Sequence, residues 1–118
     1  MVGGEVDTRM SLFSADAIEE TIHTRGRLTV LVYLSTVAEV DFVTLRDAVE
    51  MTDGNLSQQL RRLEEATYVK IDKVVMNGRI KTLVTLTDTG HMALVGYLKN
   101  MKRLIGQVPK AAPKKKAE

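Results

Sequence analysis

The densest concentration of chemically specific side chains in this sequence is TDGNLSQQLRRLEE, from Thr52 to Glu65. Leu56, Leu60 and Leu63 fall at i, i+4 and i+7, which predicts one apolar stripe of a helix. Asn55, Gln58, Arg61 and Arg62 then lie on the opposite face, with Ser57 and Gln59 on its flanks. Amides and guanidinium groups displayed together are the chemistry that hydrogen-bonds nucleic-acid base edges and phosphates. Thr52 or Asp53 is placed to cap the helix, since a short side-chain oxygen accepts an orphan amide proton there. Gly54 costs helix propensity but lets a partner come close to the backbone. Taken alone, the pattern also describes an ordinary solvated amphipathic helix, so its neighbours must decide.

The elements around it have a legible order. Residues 1–13 read as a flexible lead, and Ser14 or Asp16 is expected to open a helix, ADAIEETIHT. Arg25-Gly26-Arg27 interrupts that pattern before the apolar segment LTVLVYLSTVAEV. Its β-branched and aromatic residues suit a buried strand, while Leu28, Leu31, Val32 and Ser35 keep helical spacing. Both assignments remain open on the residues alone. Asp41-Phe42 marks a turn, and VTLRDAVEM predicts a short helix in which Thr44 and Asp47 resemble a capping box. Two short helices joined tightly, the second polar outside, make a helix-turn-helix.

After Glu65, TYVKIDKVVM alternates at period two and predicts a strand. Asn77-Gly78 is a strong hairpin signal because both positions tolerate positive φ, and RIKTLVTL returns as a second strand. Asn77, Arg79 and Lys81 beside Lys73 would make this ribbon basic; routine charged strand edges would look the same. Thr87 is expected to cap the last helix, TDTGHMALVGYLKNMKRLIGQ, where Leu94, Leu98, Met101, Ile105 and Val108 step by four and three. That seam suits packing against another helix, either a symmetry mate or the chain's own domain. Residues 14–108 thus form one domain, and 109–118 a disordered basic tail.

Composition narrows the function classes. The chain has 118 residues, 44% of them apolar, enough for one modest core. No apolar run approaches the roughly 20 residues that span a bilayer, and the start lacks a secretory apolar region. The expected location is therefore cytoplasmic, with the nucleoid. Zero cysteines exclude disulfides and thiolate chemistry. Residues 1–50 hold 4 Lys/Arg against 9 Asp/Glu, whereas residues 51–118 hold 13 against 6. A basic half beginning at the polar helix suggests an anionic partner, although four of those lysines belong to the tail. His23 and His91 lie far apart without metal-ligand spacing, and each reads as a core-edge or capping residue. Glu19/Glu20 and Glu64/Glu65 are adjacent and diverge, and no Walker loop, GxGxxG or GxSxG occurs. No enzyme, cofactor or metal is expected.

The ordered set of elements resembles the winged helix-turn-helix regulators, specifically the small bacterial and archaeal MarR/ArsR-like group. The resemblance rests on IHTRGRLTVLVYL, DFVTLRDAVEMTDGNLSQQLRRLEEATYV, NGRIKTLVTLTDTG and HMALVGYL, most of residues 16–100. It implies a mainly α fold with a small β-hairpin (α+β) and terminal helices for dimerisation. It also decides the 28–40 segment for helix. Helix 52–65 would enter the major groove of double-stranded DNA. Thr52, Asn55, Ser57, Gln58 and Gln59 would lie toward base edges or nearby phosphates, and Arg61 and Arg62 toward the backbone. Hairpin 69–86 would be the wing, with Arg79 at its tip and Lys73, Asn77 and Lys81 in support. Arg25 and Arg27 would add phosphate contacts. Leu94, Leu98, Met101, Ile105 and Val108 would form a homodimer seam, which leaves room for a small-molecule effector that no residue identifies. Two departures stand out: Gln59 replaces a frequent histidine, which bears on base preference, and Ala66-Thr67-Tyr68 replaces an Ala-Gly-aromatic turn, expected only to stiffen the helix end. The implied function is a sequence-specific DNA-binding regulator, a dimeric repressor. The competing reading is a winged-helix protein–protein module with the acidic first half as its surface; the basic helix face and wing argue against it.

Overall fold

The computed structural model describes residues 13–15 and 18–114 of the chain. Its order is α1 (Arg25–Val37), β1 (Glu39–Asp41), α2 (Phe42–Val49), α3 (Asp53–Glu65), β2 (Val69–Met76), β3 (Arg79–Leu86) and α4 (Asp88–Ile105). The three leucines of α3 are at most 2% exposed and meet Leu31 and Leu34 of α1, Leu45 of α2, Val69 and Val84 of the sheet, and Leu94 and Tyr97 of α4 in one core. Burying that stripe turns the polar face of α3 outward. The winged-helix architecture expected from the sequence is present.

The 28–40 segment is helical as far as Val37, and its last residues, Glu39 and Val40, pass into β1. Val30, Leu31 and Leu34 share its buried face, while Val32 is 43% exposed, an asymmetry that a strand buried on both faces would not leave. The helix starts earlier than its apolar run because Thr24 Oγ1 accepts from the Arg27 amide at 3.1 Å, so Arg25-Gly26-Arg27 forms the first turn rather than an interruption.

Three further expectations are corrected. Residues 18–24 carry turns and not the helix read in ADAIEETIHT. The Glu19 carboxylate accepts from the amides of Thr21 and Ile22, taking the donors that a helix would direct to carbonyls, and Ile22 is fully buried. The cap of α2 is Asp41, which accepts from the Thr44 amide; Thr44 itself lies inside the helix. Residues Glu39–Asp41 form a third strand, pairing antiparallel with β3 at Glu39↔Thr85, Val40↔Val84 and Asp41↔Leu83. Sheet order is β1-β3-β2. Asp16, residues 1–12 of the lead, and Lys115 and Lys116 of the tail lie outside the described residues.

The hairpin keeps an unbroken register from Val69↔Leu86 to Met76↔Arg79 around Asn77 (φ 55°) and Gly78 (φ 75°), as the Asn-Gly signal predicts. The end of α3 differs from expectation. The Tyr68 amide donates to the Leu63 carbonyl and the Thr67 amide to the Glu64 carbonyl, each at 2.9 Å, a Schellman ending. Thr67 therefore sits at φ 66°, a left-handed position where a β-branched residue is strained. The substitution strains this turn rather than merely stiffening it.

Candidate nucleic-acid interface

The Thr52 hydroxyl accepts from the Asn55 amide at 3.1 Å and sets the first turn of α3. Arg46 of α2 reaches across to the same turn: its Nη1 lies 2.9 Å from Asp53 Oδ1 while it also pairs with Asp47. Asp53 first, then Asp47, pushes the guanidinium pKa further above its already high ordinary value. This brace between the two helices of the helix-turn-helix was absent from the sequence reading, because its partners are separated by a turn whose geometry spacing alone does not specify.

Thr52, Asn55, Ser57, Gln58, Arg61 and Arg62 are exposed along the outer face of α3. Gln59 is half-buried. Its Oε1 accepts from Arg27 Nη1 at 2.9 Å, and its Nε2 donates to Asn55 Oδ1 at 2.9 Å. Arg27 also donates through Nε to the Thr21 carbonyl, so two of its nitrogens are engaged within the protein. Arg25, two residues earlier, is exposed. Asn55, Gln59, Arg25 and Arg27 line one open concavity beside the start of α3.

The wing is brought against the other end of this face. Ser57 and Arg61 of α3 line a second concavity with Lys73 and Thr82 of the hairpin. Residues opposite in register share a face of the ribbon. Lys73 pairs with Thr82 and shares the face of Ile71, Val84 and Val69, toward α3. Lys81, opposite Val74, and Arg79, opposite Met76, occupy the other face. Lys73 and Lys81, grouped together from sequence, thus point to opposite sides, and Arg79 and Asn77 are exposed at the tip. Near that tip Val75 and Ile80 form an apolar cross-strand pair, each 73% exposed.

The C-terminal seam is divided. Leu94 is 3% exposed and Met101 packs on the core, so both belong to the domain's own interior. Leu98 and Ile105 are exposed, joined on the surface of α4 by Met92 and Val95, while Val108 lies beyond the helix. His23 stands at the core edge, with Nδ1 2.6 Å from the Tyr97 hydroxyl, and ties the turns before α1 to α4. Among the described residues no helix is long and apolar enough to cross a membrane.

Comparison with known proteins agrees with this geometry. A family model described as a winged helix DNA-binding domain matches residues 27–105. An uncharacterized protein of Methanocaldococcus jannaschii is 33% identical over 78 residues, 66% of this chain and 85% of that one. Among solved structures, a transcriptional regulator homologue from Pyrococcus horikoshii superposes with a TM-score of 0.71 at 25% identity, covering 86% of this chain and 95% of that one. The structure of MarR superposes with a TM-score of 0.65 at 18% identity, over 86% and 74% of the two chains, a likeness of fold.

Proposed function

The chain belongs to the winged helix DNA-binding domain family and is a DNA-binding transcriptional regulator with a MarR-like fold; we propose that it acts as a homodimeric repressor that reads double-stranded DNA by sequence. In this reading α3 lies in the major groove and the hairpin is the wing. One observation carries it: the leucine stripe of α3 is buried, so Asn55, Ser57, Gln58, Arg61 and Arg62 are displayed together on one exposed face, with Lys73 of the wing beside Ser57 and Arg61. Gln58 and Asn55 are the base-edge readers, Arg61, Arg62, Arg25, Lys73 and Arg79 the phosphate contacts. The exposed apolar face of Met92, Val95, Leu98 and Ile105 supports a second copy across α4. Two recognition helices would then address half-sites ~34 Å apart.

Anisotropy titration tests this reading, using labelled DNA from upstream of the gene and a scrambled duplex of equal length at several salt concentrations. Neutralising about five phosphates per protomer gives a log–log salt slope of roughly −9 for the dimer. Gln58→Ala should cost about 1–3 kcal/mol on the matched duplex only, and Arg79→Ala should weaken both duplexes alike. Absence of binding to either duplex at low salt would favour a protein-interaction role instead.

A further inference from the structure

The chain from Arg27 through Gln59 to Asn55 has a direction. Carboxamide oxygen and nitrogen are hard to distinguish by position alone, but a guanidinium has only donors. Whatever faces Arg27 Nη1 must therefore be the oxygen of Gln59. That leaves Nε2 toward Asn55, where only an oxygen can accept it. One of the two lone pairs of Asn55 Oδ1 is taken, while its Nδ2 keeps both protons for the exposed end of the side chain. Arg27 is itself held by the Thr21 carbonyl and half-buried, so the polarity is set from inside the protein.

We propose that Arg27 and Gln59 are positioning residues that make Asn55 chiefly a donor, favouring major-groove positions that offer acceptors, guanine or thymine, over those where an exocyclic amine faces it. An unconstrained asparagine would pair with adenine through both amide atoms, accepting from N6 and donating to N7. With one lone pair of its oxygen taken by Gln59, Asn55 keeps two donor protons against a single acceptor site, which weakens that pair. It can donate to guanine O6 and N7 or to thymine O4, and it meets a donor at cytosine N4. This inference rests on α3 being the recognition helix.

The relay can be reversed by one near-isosteric change. In Gln59→Glu the carboxylate still accepts from Arg27, but it offers Asn55 an acceptor. The amide of Asn55 must then turn its Nδ2 inward and its oxygen out, so preference at the same position should pass to adenine or cytosine. Arg27→Met should leave Asn55 free and flatten the preference, whereas Arg27→Lys, also a donor only, should keep it.

The test is selection of bound duplexes from a randomised pool by the full-length protein and these three variants, with a thermal melt of each as a folding control. The native protein should enrich guanine or thymine about fivefold or more at one position of each half-site, the discrimination one base contact supplies. Gln59→Glu should invert that preference. An unchanged preference in Gln59→Glu, or a uniform loss of affinity that would indicate a phosphate contact, overturns the relay while the regulator reading stands. No enrichment by the native protein overturns the regulator reading and the relay with it. Should Gln59→Glu fail to fold, the Arg27 pair decides: native preference retained in Arg27→Met refutes the relay, and retention only in Arg27→Lys supports it.

Discussion

Gly90, in the first turn of α4, lies so close to the backbone of Tyr68 that a Cβ on it would stand 2.2 Å from the Tyr68 carbonyl oxygen. The same oxygen accepts from the amide and the hydroxyl of Thr87, each at 3.0 Å. One carbonyl thus joins the start of the wing to the start of α4. Gly90→Ala must push these two elements apart. It should destabilise the protein by about 1–3 kcal/mol, as over-packing does, with a fall in Tm of several degrees. An unchanged Tm would show that the two segments are not packed this closely in solution.

Thr67 is the opposite case. Its left-handed backbone costs a β-branched residue about 1–2 kcal/mol, and the Schellman bonds around it need only backbone atoms. Thr67→Gly should therefore raise stability by about 1 kcal/mol, read as a higher urea midpoint at constant m. A lower midpoint would mean that the threonine side chain matters more than its strain.

At Gly54 stability and binding should separate. A Cβ there would meet no protein atom within 4 Å, so Gly54→Ala should strengthen α3 by up to about 1 kcal/mol. If DNA approaches this first turn, the same methyl group should lower DNA affinity. Unfolding and anisotropy on one variant would show both signs, and an affinity left intact would place the DNA elsewhere.

Asp41 predicts a pH dependence. Its hydrogen bond with Thr44 is the main cause that lowers its carboxyl pKa, with Lys81 adding attraction and burial opposing. A folded pKa below the ordinary value of 3.8 means that this stabilisation is complete above 3.8 and is lost as pH falls through the folded value. Asparagine caps without titrating. Asp41→Asn should accordingly flatten the acid limb of stability against pH, by a small amount because the side chain is close to solvent. Identical acid limbs for both proteins would refute the assignment.

Where physics is local, the sequence was enough. Leu56, Leu60 and Leu63 with the Thr52 cap located α3 almost to the residue, because helix period and capping act within a few positions. Asn77-Gly78 located the hairpin and its register, since only residues that tolerate positive φ close so short a turn. The outward set Asn55, Ser57, Gln58, Arg61 and Arg62 followed from the leucines on the far side.

Other features depended on distant partners. Glu39–Asp41 is too short to show a period and becomes a strand only because β3 lies beside it. Residues 18–24 have helical spacing, but the Glu19 carboxylate and the burial of Ile22 hold them in turns. Leu94 and Leu98 share a seam in sequence, yet the core takes one and leaves the other at the surface. Arg27 and Gln59 stand 32 positions apart, and their 2.9 Å bond exists only once α1 packs on α3. For α3 the sequence by itself determined which face turns outward, through short-range period and capping. Only the tertiary structure decided which way Asn55 points its amide, because hydrogen-bond polarity is passed between residues that folding brings together.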